Sequence, residues 1–469
     1  MELDLLELSS ENEDQSANSW IWISGEKSRK KINRILDEII ATENLTKTQL
    51  IIDIAKKLKV SVGPLNRSIY GKADEIPIPI LKELLERSIS KHEYKKFFIT
   101  SATKIFTSRR KKVNAIKEIS IDLAEIMGAF AADGHLSVLV RAYSSSKDEL
   151  LELMKRFNVE LTIQEDRDKF FIRTSKISQE QLLQNRQENI SYSFSHLFEI
   201  VDAERSAVET IAQKIKEEFG ISGKIVKKKE AWSYRTYNKI LTRYFRLFGL
   251  SSGRKTETVS EPLVLKNKSL DIKLGFVRGV LTFDGTVKYS GEVYITLKND
   301  RLPLDLSTIV SSYRIRNFVT IREPRYTLTI DHNNEKSLSL FIPNTKKWFR
   351  LRDYLYGFKI KVKTIAEAKN IIYESYDRYN RKSASFLELM EFIQKKGETT
   401  STELTQFFKT SDGGFYSKLR ILNRMNIVEQ TDYLFRNKKG KFEKKYAKYK
   451  FNNNLEQWLL PSFKIDKDI

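Results

Sequence analysis

The sequence predicts an α+β fold built as two pseudo-symmetric halves, each with helices packed on an antiparallel sheet, and a small helical domain at either end. Three observations carry this. An apolar helix closing on Asp-Gly occurs twice, as Ile126-Met-Gly-Ala-Phe-Ala-Ala-Asp-Gly134 and Val277-Arg-Gly-Val-Leu-Thr-Phe-Asp-Gly285, with a Gly five residues ahead of each acid. Each copy is followed by stretches that alternate polar and apolar residues, the period of a half-buried strand. Helical periodicity dominates both ends of the chain. The repeated acid is chemically odd, because a carboxylate at a helix C-terminus faces the negative end of the macrodipole and costs roughly 0.3–1 kcal/mol. Asp133 and Asp284 make that choice twice, so something else must hold the charge, and a divalent cation is the obvious candidate.

With 469 residues the chain suits about three domains. No apolar run approaches the ~20 residues needed to span a bilayer, and the acidic start is unlike a signal peptide. Without cysteine there is no disulfide, thiolate metal site or thiol nucleophile, as suits an intracellular protein of cytoplasm or nucleoid. The net charge of +22 and pI near 9.6 point to a polyanion, with nucleic acid ahead of a membrane surface.

Residues 1–26 read as an acidic flexible tail carrying Glu2, Asp4, Glu7, Glu11, Glu13 and Asp14. Residues 27–92 read as a helix-turn-helix-like domain. Ile32, Ile35, Leu36, Ile39 and Ile40 mark a first helix, and a capping box at Thr46 and Gln49 starts a second. A tight turn at Val60 to Leu65 leads to a short helix ending at Tyr70, and Pro79 opens a fourth. This order is similar to repressor-type helix-turn-helix domains, which would turn Ser61, Asn66, Arg67 and Lys72 to DNA; a helical bundle without ligand shares the pattern.

Residues 93–260 form the first half. The run Arg109, Arg110, Lys111 and Lys112 is either a solvated linker or a phosphate contact. About 137–190 reads as an insertion without an assigned role. Ser191 to Ile200 then alternates, Ala203 to Phe219 is a helix closed by Gly220, and Lys224 to Tyr237 is a hairpin before a helix ending at Gly249. Residues 261–372 repeat the scheme: a strand over Glu292 to Lys298, a helix near Leu304 to Tyr313, strands around 318–322 and 326–330, and a helix before Gly357. The polar faces carry Arg235, Lys298 and Arg322, which read as a nucleic-acid surface. Residues 373–469 give three helices and a basic hairpin with Lys438, Lys439 and Lys441 near its tip, similar to a winged helix gripping phosphates.

At the paired Asp-Gly helices the chain resembles the LAGLIDADG (DOD-type, dodecapeptide) homing endonucleases in their single-chain, two-motif form. The run Leu247-Phe-Gly-Leu-Ser-Ser-Gly253-Arg-Lys255-Thr256, then Glu261-Pro262 and Phe276-Val-Arg-Gly279, adds to the likeness, which covers about residues 120–355. The resemblance implies a monomer with internal pseudo-twofold symmetry, whose motif helices pack through Gly128, Ala132 and Gly279 and whose saddle sheets take double-stranded DNA. It implies cleavage of both strands across the minor groove, with Asp133 and Asp284 as catalytic and metal-binding acids. Mg²⁺ or Mn²⁺ suits such oxygen ligands better than zinc, since there is no His or Cys cluster. Lys346 or Lys347 in the second half, and Lys255 in the first, stand where the family supplies a basic group. Two other readings use the same fold: a non-cleaving transcriptional regulator, and a splicing maturase acting on structured RNA.

Overall fold

The computed structural model describes residues 3–10, 17–71, 73–107, 111–166, 169–177, 181–182, 185, 189–250, 259–288, 290–377, 384–409, 413–434, 437–438, 441–442 and 446–461. It mixes helices with antiparallel sheets throughout, and it divides into two compact units, Met1–Val280 and Leu281–Ile469. The division falls inside the second motif helix.

The first unit opens with a 3-10 helix, Leu5–Leu8, in which Asp4 accepts from the Leu6 amide. Leu3, Leu5, Leu6 and Leu8 are buried, and the Arg243 guanidinium donates to the Leu8 carbonyl at 3.1 Å. The described part of the acidic stretch is therefore folded against the chain rather than a flexible tail: its leucines bury apolar surface that the acids between them leave to solvent. Next come β1 (Ile21–Gly25), α1 (Ser28–Glu43), α2 (Lys47–Lys57), α3 (Val62–Tyr70), β2 (Glu75–Pro77), α4 (Ile78–Arg87), α5 (Lys91–Ser101), β3 (Ala102–Thr107) and β4 (Lys112–Asn114). The strands order as β2-β1-β3-β4. The Thr46–Gln49 capping box forms as expected. Helix α3 starts three residues before Leu65 because Pro64 sits in its first turn, where a missing N–H leaves no helical bond unmade. Left-handed Lys59, at φ 52°, bends the chain between α2 and α3.

The first motif helix α6 (Ile121–Asp133) runs straight into β5 (Gly134–Ser144). Then follow α7 (Lys147–Arg156), β6 (Gln164–Asp166), β7 (Lys169–Thr174), β8 (Ser191–Asp202), α8 (Arg205–Phe219), β9 (Lys224–Lys228), β10 (Ala231–Tyr237) and α9 (Lys239–Leu247). The six strands order as β6-β7-β5-β8-β10-β9. The stretch taken for an insertion thus supplies three of them, and β5 is central, with Gly134 opposite Ile200 and Tyr143 opposite Ser191. Phe130, Phe198, Phe245 and Phe219 pack ring against ring beneath the sheet, buried completely, with Phe130 stacked on Phe198 and Phe245 edge-on to it.

The second motif helix is α10 (Leu270–Phe283). In the second unit β11 (Thr286–Val287), β12 (Val293–Leu297), α11 (Arg301–Ser312), β13 (Asn317–Arg322), β14 (Arg325–Ile330) and α12 (Lys346–Tyr356) follow it, the strands in the order β11-β12-β14-β13. Val293, Ile295, Leu328 and Ile330 bury one face against Leu302, Leu306 and Val310 of α11. Beyond, helices Ile365–Ile372, Phe386–Lys396, Ser401–Phe408 and Gly413–Arg424 enclose a separate core with strands Glu398–Thr400, Val428–Leu434 and Tyr446–Phe451. No helix among the described residues is long and apolar enough to cross a membrane.

Candidate nucleic-acid interface

The two motif helices meet backbone to backbone within the first unit. A Cβ on Gly128 would overlap the Phe276 carbonyl oxygen and stand 2.9 Å from the Val280 nitrogen and 3.0 Å from the Gly279 Cα. One on Gly279 would overlap the Glu125 carbonyl oxygen and stand 2.6 Å from the Ala129 nitrogen. Only glycine permits that approach. Helix α6 reaches the crossing because Ser120 caps it, accepting from the Leu123 amide at 2.9 Å, and because every residue from Leu123 to Ala131 is buried.

Asp133 is the last residue of α6 and is exposed. Gly134 does not close the helix as a left-handed cap: at φ −83°, ψ 158° it is already extended. Its need for glycine is steric, since a Cβ would strike the Phe130 ring and stand 2.6 Å from the Phe130 carbonyl oxygen. The acid therefore stands where helix turns directly into strand.

Asp284 follows α10 at intermediate exposure, and Gly285 is held the same way, its Cβ position 3.0 Å from the Leu281 Cα. The Lys347 ammonium donates to the Phe283 carbonyl at 2.6 Å, a cation at the negative end of the helix. Arg350 donates to the Val287 carbonyl at 2.9 Å, and the Thr282 hydroxyl accepts from the Ile342 amide at 2.9 Å. Lys346 instead donates to the Glu374 carbonyl at 2.8 Å, with the Glu374 carboxylate at 3.6 Å. Of the two lysines, it is Lys347 that meets the end of the motif helix. One residue along a helix turns a side chain by about 100°, so the sequence alone could not choose between neighbours. Lys255 and Lys439 lie outside the described residues, as do Arg109, Arg110 and Lys72.

On the six-stranded sheet, Phe198, Ile200 and Tyr234 face the core and the alternate positions form a polar face on which Glu199 and Ser233 are themselves buried. One row across it reads His135, Glu199, Arg235, Lys224. Arg235 is half-buried and its Nε donates to Glu199 at 2.7 Å, where Lys228 and Ser233 also converge. Glu199 was not anticipated as an organiser of that face, although its place between Phe198 and Ile200 in an alternating strand marks it as outward. A second row places Arg141 between Arg173 and Ser193. The smaller sheet presents Tyr294, Thr296, Thr327, Thr329, Phe318 and Thr320, with Thr296 and Thr327 bonded at 2.9 Å. Arg322 pairs across from Arg325 at its end and is exposed, as is Lys298 just past β12.

Asn66 and Arg67 are exposed on α3 and line a shallow groove with Thr48, Ile51, Val62 and Tyr70. Lys438 and Lys441 lie on the short paired strands Asn437–Lys438 and Lys441–Phe442. Among the described residues no group of three or more His, Asp or Glu could hold a metal. Single carboxylates fit a hard divalent ion that completes its shell from water and phosphate; they do not fit zinc.

No family model matches the chain, and no curated protein matches it. Solved structures do. The chain is similar to mesophilic variants of the homing endonuclease I-DmoI, at 14% identity over 46% of this chain and 86% of that one, with a TM-score of 0.28. It is similar in the same degree to I-DmoI in complex with DNA and Ca, at 14% identity, 46% and 85% coverage and a TM-score of 0.28. A third likeness is to I-SmaMI bound to an uncleaved DNA target in the presence of calcium ions, at 11% identity over 49% of this chain and 88% of that one, TM-score 0.28.

Proposed function

We propose that this chain is a site-specific double-strand DNA endonuclease of the LAGLIDADG homing type, using Mg²⁺ or Mn²⁺. The observation that carries this reading is the doubled unit: an apolar helix, packed through a glycine, ends on Asp133 or Asp284 and passes at once into an antiparallel sheet with one polar face. A pure binder of polyanions has no use for an acid in that position, since it repels phosphate. With a divalent ion bound, the site gains charge stabilisation at phosphate and an activated water. Asp133 and Asp284 hold that ion, one acid serving each half. Lys347 and Arg350 supply positive charge beside the second motif, and the open sheet faces, with Arg235, Lys298 and Arg322, bind and orient the duplex. Asn66 and Arg67 on α3, and the basic hairpin around Lys438, Lys439 and Lys441, lengthen the contact.

The test is cleavage of a pooled random-sequence duplex library by the full chain. Double-strand breaks at a recurring site with Mg²⁺, lost on chelation, are expected. Site-selective binding without breaks would replace this reading with the regulator, and selective binding of structured RNA would replace it with the maturase.

A further inference from the structure

One buried acid that the proposed chemistry leaves unused lies inside the first unit, on α6. Glu125 is fully buried, eight residues and thus about 12 Å of helix before Asp133. Its carboxylate takes an ion pair from Arg278 of α10 on one oxygen and from Lys214 of α8 on the other. Lys214 also bonds Asp122, so two acids and two bases are linked across three helices. Burial acts to lower the Lys214 ammonium, and its bonds to Asp122 and Glu125 outweigh that, leaving it raised above its ordinary value. The network stands beside the glycine crossing, since the Glu125 carbonyl is the atom that a Cβ on Gly279 would strike.

A glycine contact is close but smooth. It resists separation of two helices better than rotation or sliding, because no side chain interlocks. A buried carboxylate shared by two cations is directional, and buried ionic groups of this kind are best attested as devices that select one register. We infer that Glu125 is a positioning residue: by binding Arg278 and Lys214 it fixes the rotation of α6 on α10, and so the direction in which α6 presents Asp133. The inference rests on the proposed nuclease reading.

The test separates register from stability. Replacing the three interlocked charges with apolar residues, Glu125→Leu with Lys214→Met and Arg278→Met, leaves only Asp122 without its partner, and its side chain is 46% exposed to water, so folding is retained. Expected are unchanged DNA affinity and a single-turnover cleavage rate lower by about a hundredfold, as for a displaced reacting group. Hydrogen exchange in α6 and α10 should rise together by about tenfold while other helices keep their protection. Cleavage at the wild-type rate with unchanged exchange in both helices would overturn the inference. If the triple variant does not fold, Glu125→Gln is read by the same two measurements. Absence of cleavage by the wild type is a failure of the proposed function instead, and the exchange of α6 and α10 then decides the inference alone.

Discussion

Replacing Gly128 by alanine probes the helix crossing on which both motifs depend. The new methyl would overlap the Phe276 carbonyl oxygen and lie 2.9 Å from the Val280 nitrogen, and both are backbone atoms that cannot swing aside. The helices must part. Overpacking of this kind costs about 1–3 kcal/mol, and rigid backbone places it at the upper end. Alanine returns about 0.5–1 kcal/mol through its better helix propensity, so a net loss of about 2 kcal/mol remains. For a unit of this size that is a fall in Tm of about 3–4 °C, read by thermal denaturation. Gly279→Ala should cost a similar amount, and the double variant less than the sum, because the helices need separate only once. Gly63→Ala is the control: nothing lies within 4 Å of a Cβ there, so it should gain the propensity alone. A Gly128→Ala protein as stable as Gly63→Ala would refute the close crossing.

Three further outcomes follow from single side chains. Leu5→Ala removes a completely buried side chain of the amino-terminal segment and should cost about 2–4 kcal/mol in denaturant unfolding, where a flexible tail would cost nothing. Tyr244→Phe leaves the buried Ile116 amide without the hydroxyl that accepts from it at 3.0 Å, for about 1–3 kcal/mol by the same assay. Glu403, bonded to Lys396 and to the Thr400 amide and Thr399 hydroxyl, is held down to about 2 from an ordinary 4.5. Its folded value is depressed, so its stabilisation is complete above 4.5 and is lost as pH falls through about 2; Glu403→Gln should flatten acid unfolding of the second unit across that window.

Much of this architecture is legible in the residues because it is local. The motif helices, the Thr46 capping box, the Gly220 stop and the β9–β10 hairpin each announce themselves within a dozen positions. β5 was legible too. Leu136, Val138, Val140 and Ala142 alternate with His135, Ser137, Arg141 and Tyr143, but apolar Leu139 on the outer face blurs the period into a mere run. What could not be read is contact across the chain. Nothing near Leu5 says that it packs toward α9, more than two hundred residues on, and nothing near Glu125 names Arg278 as its partner. Acidity around Leu5 and abundance of Lys around Lys346 and Lys347 pointed to solvent and to ambiguity. Burial and helix rotation decide both, and they are tertiary.

The most direct test of the paired acids is strand-resolved cleavage at the selected site with Mg²⁺ by the wild type, Asp133→Asn and Asp284→Asn. The account predicts breaks in both strands by the wild type and loss of double-strand breaks in either variant, with site-selective DNA binding retained in both. Wild-type cutting in either variant would contradict it.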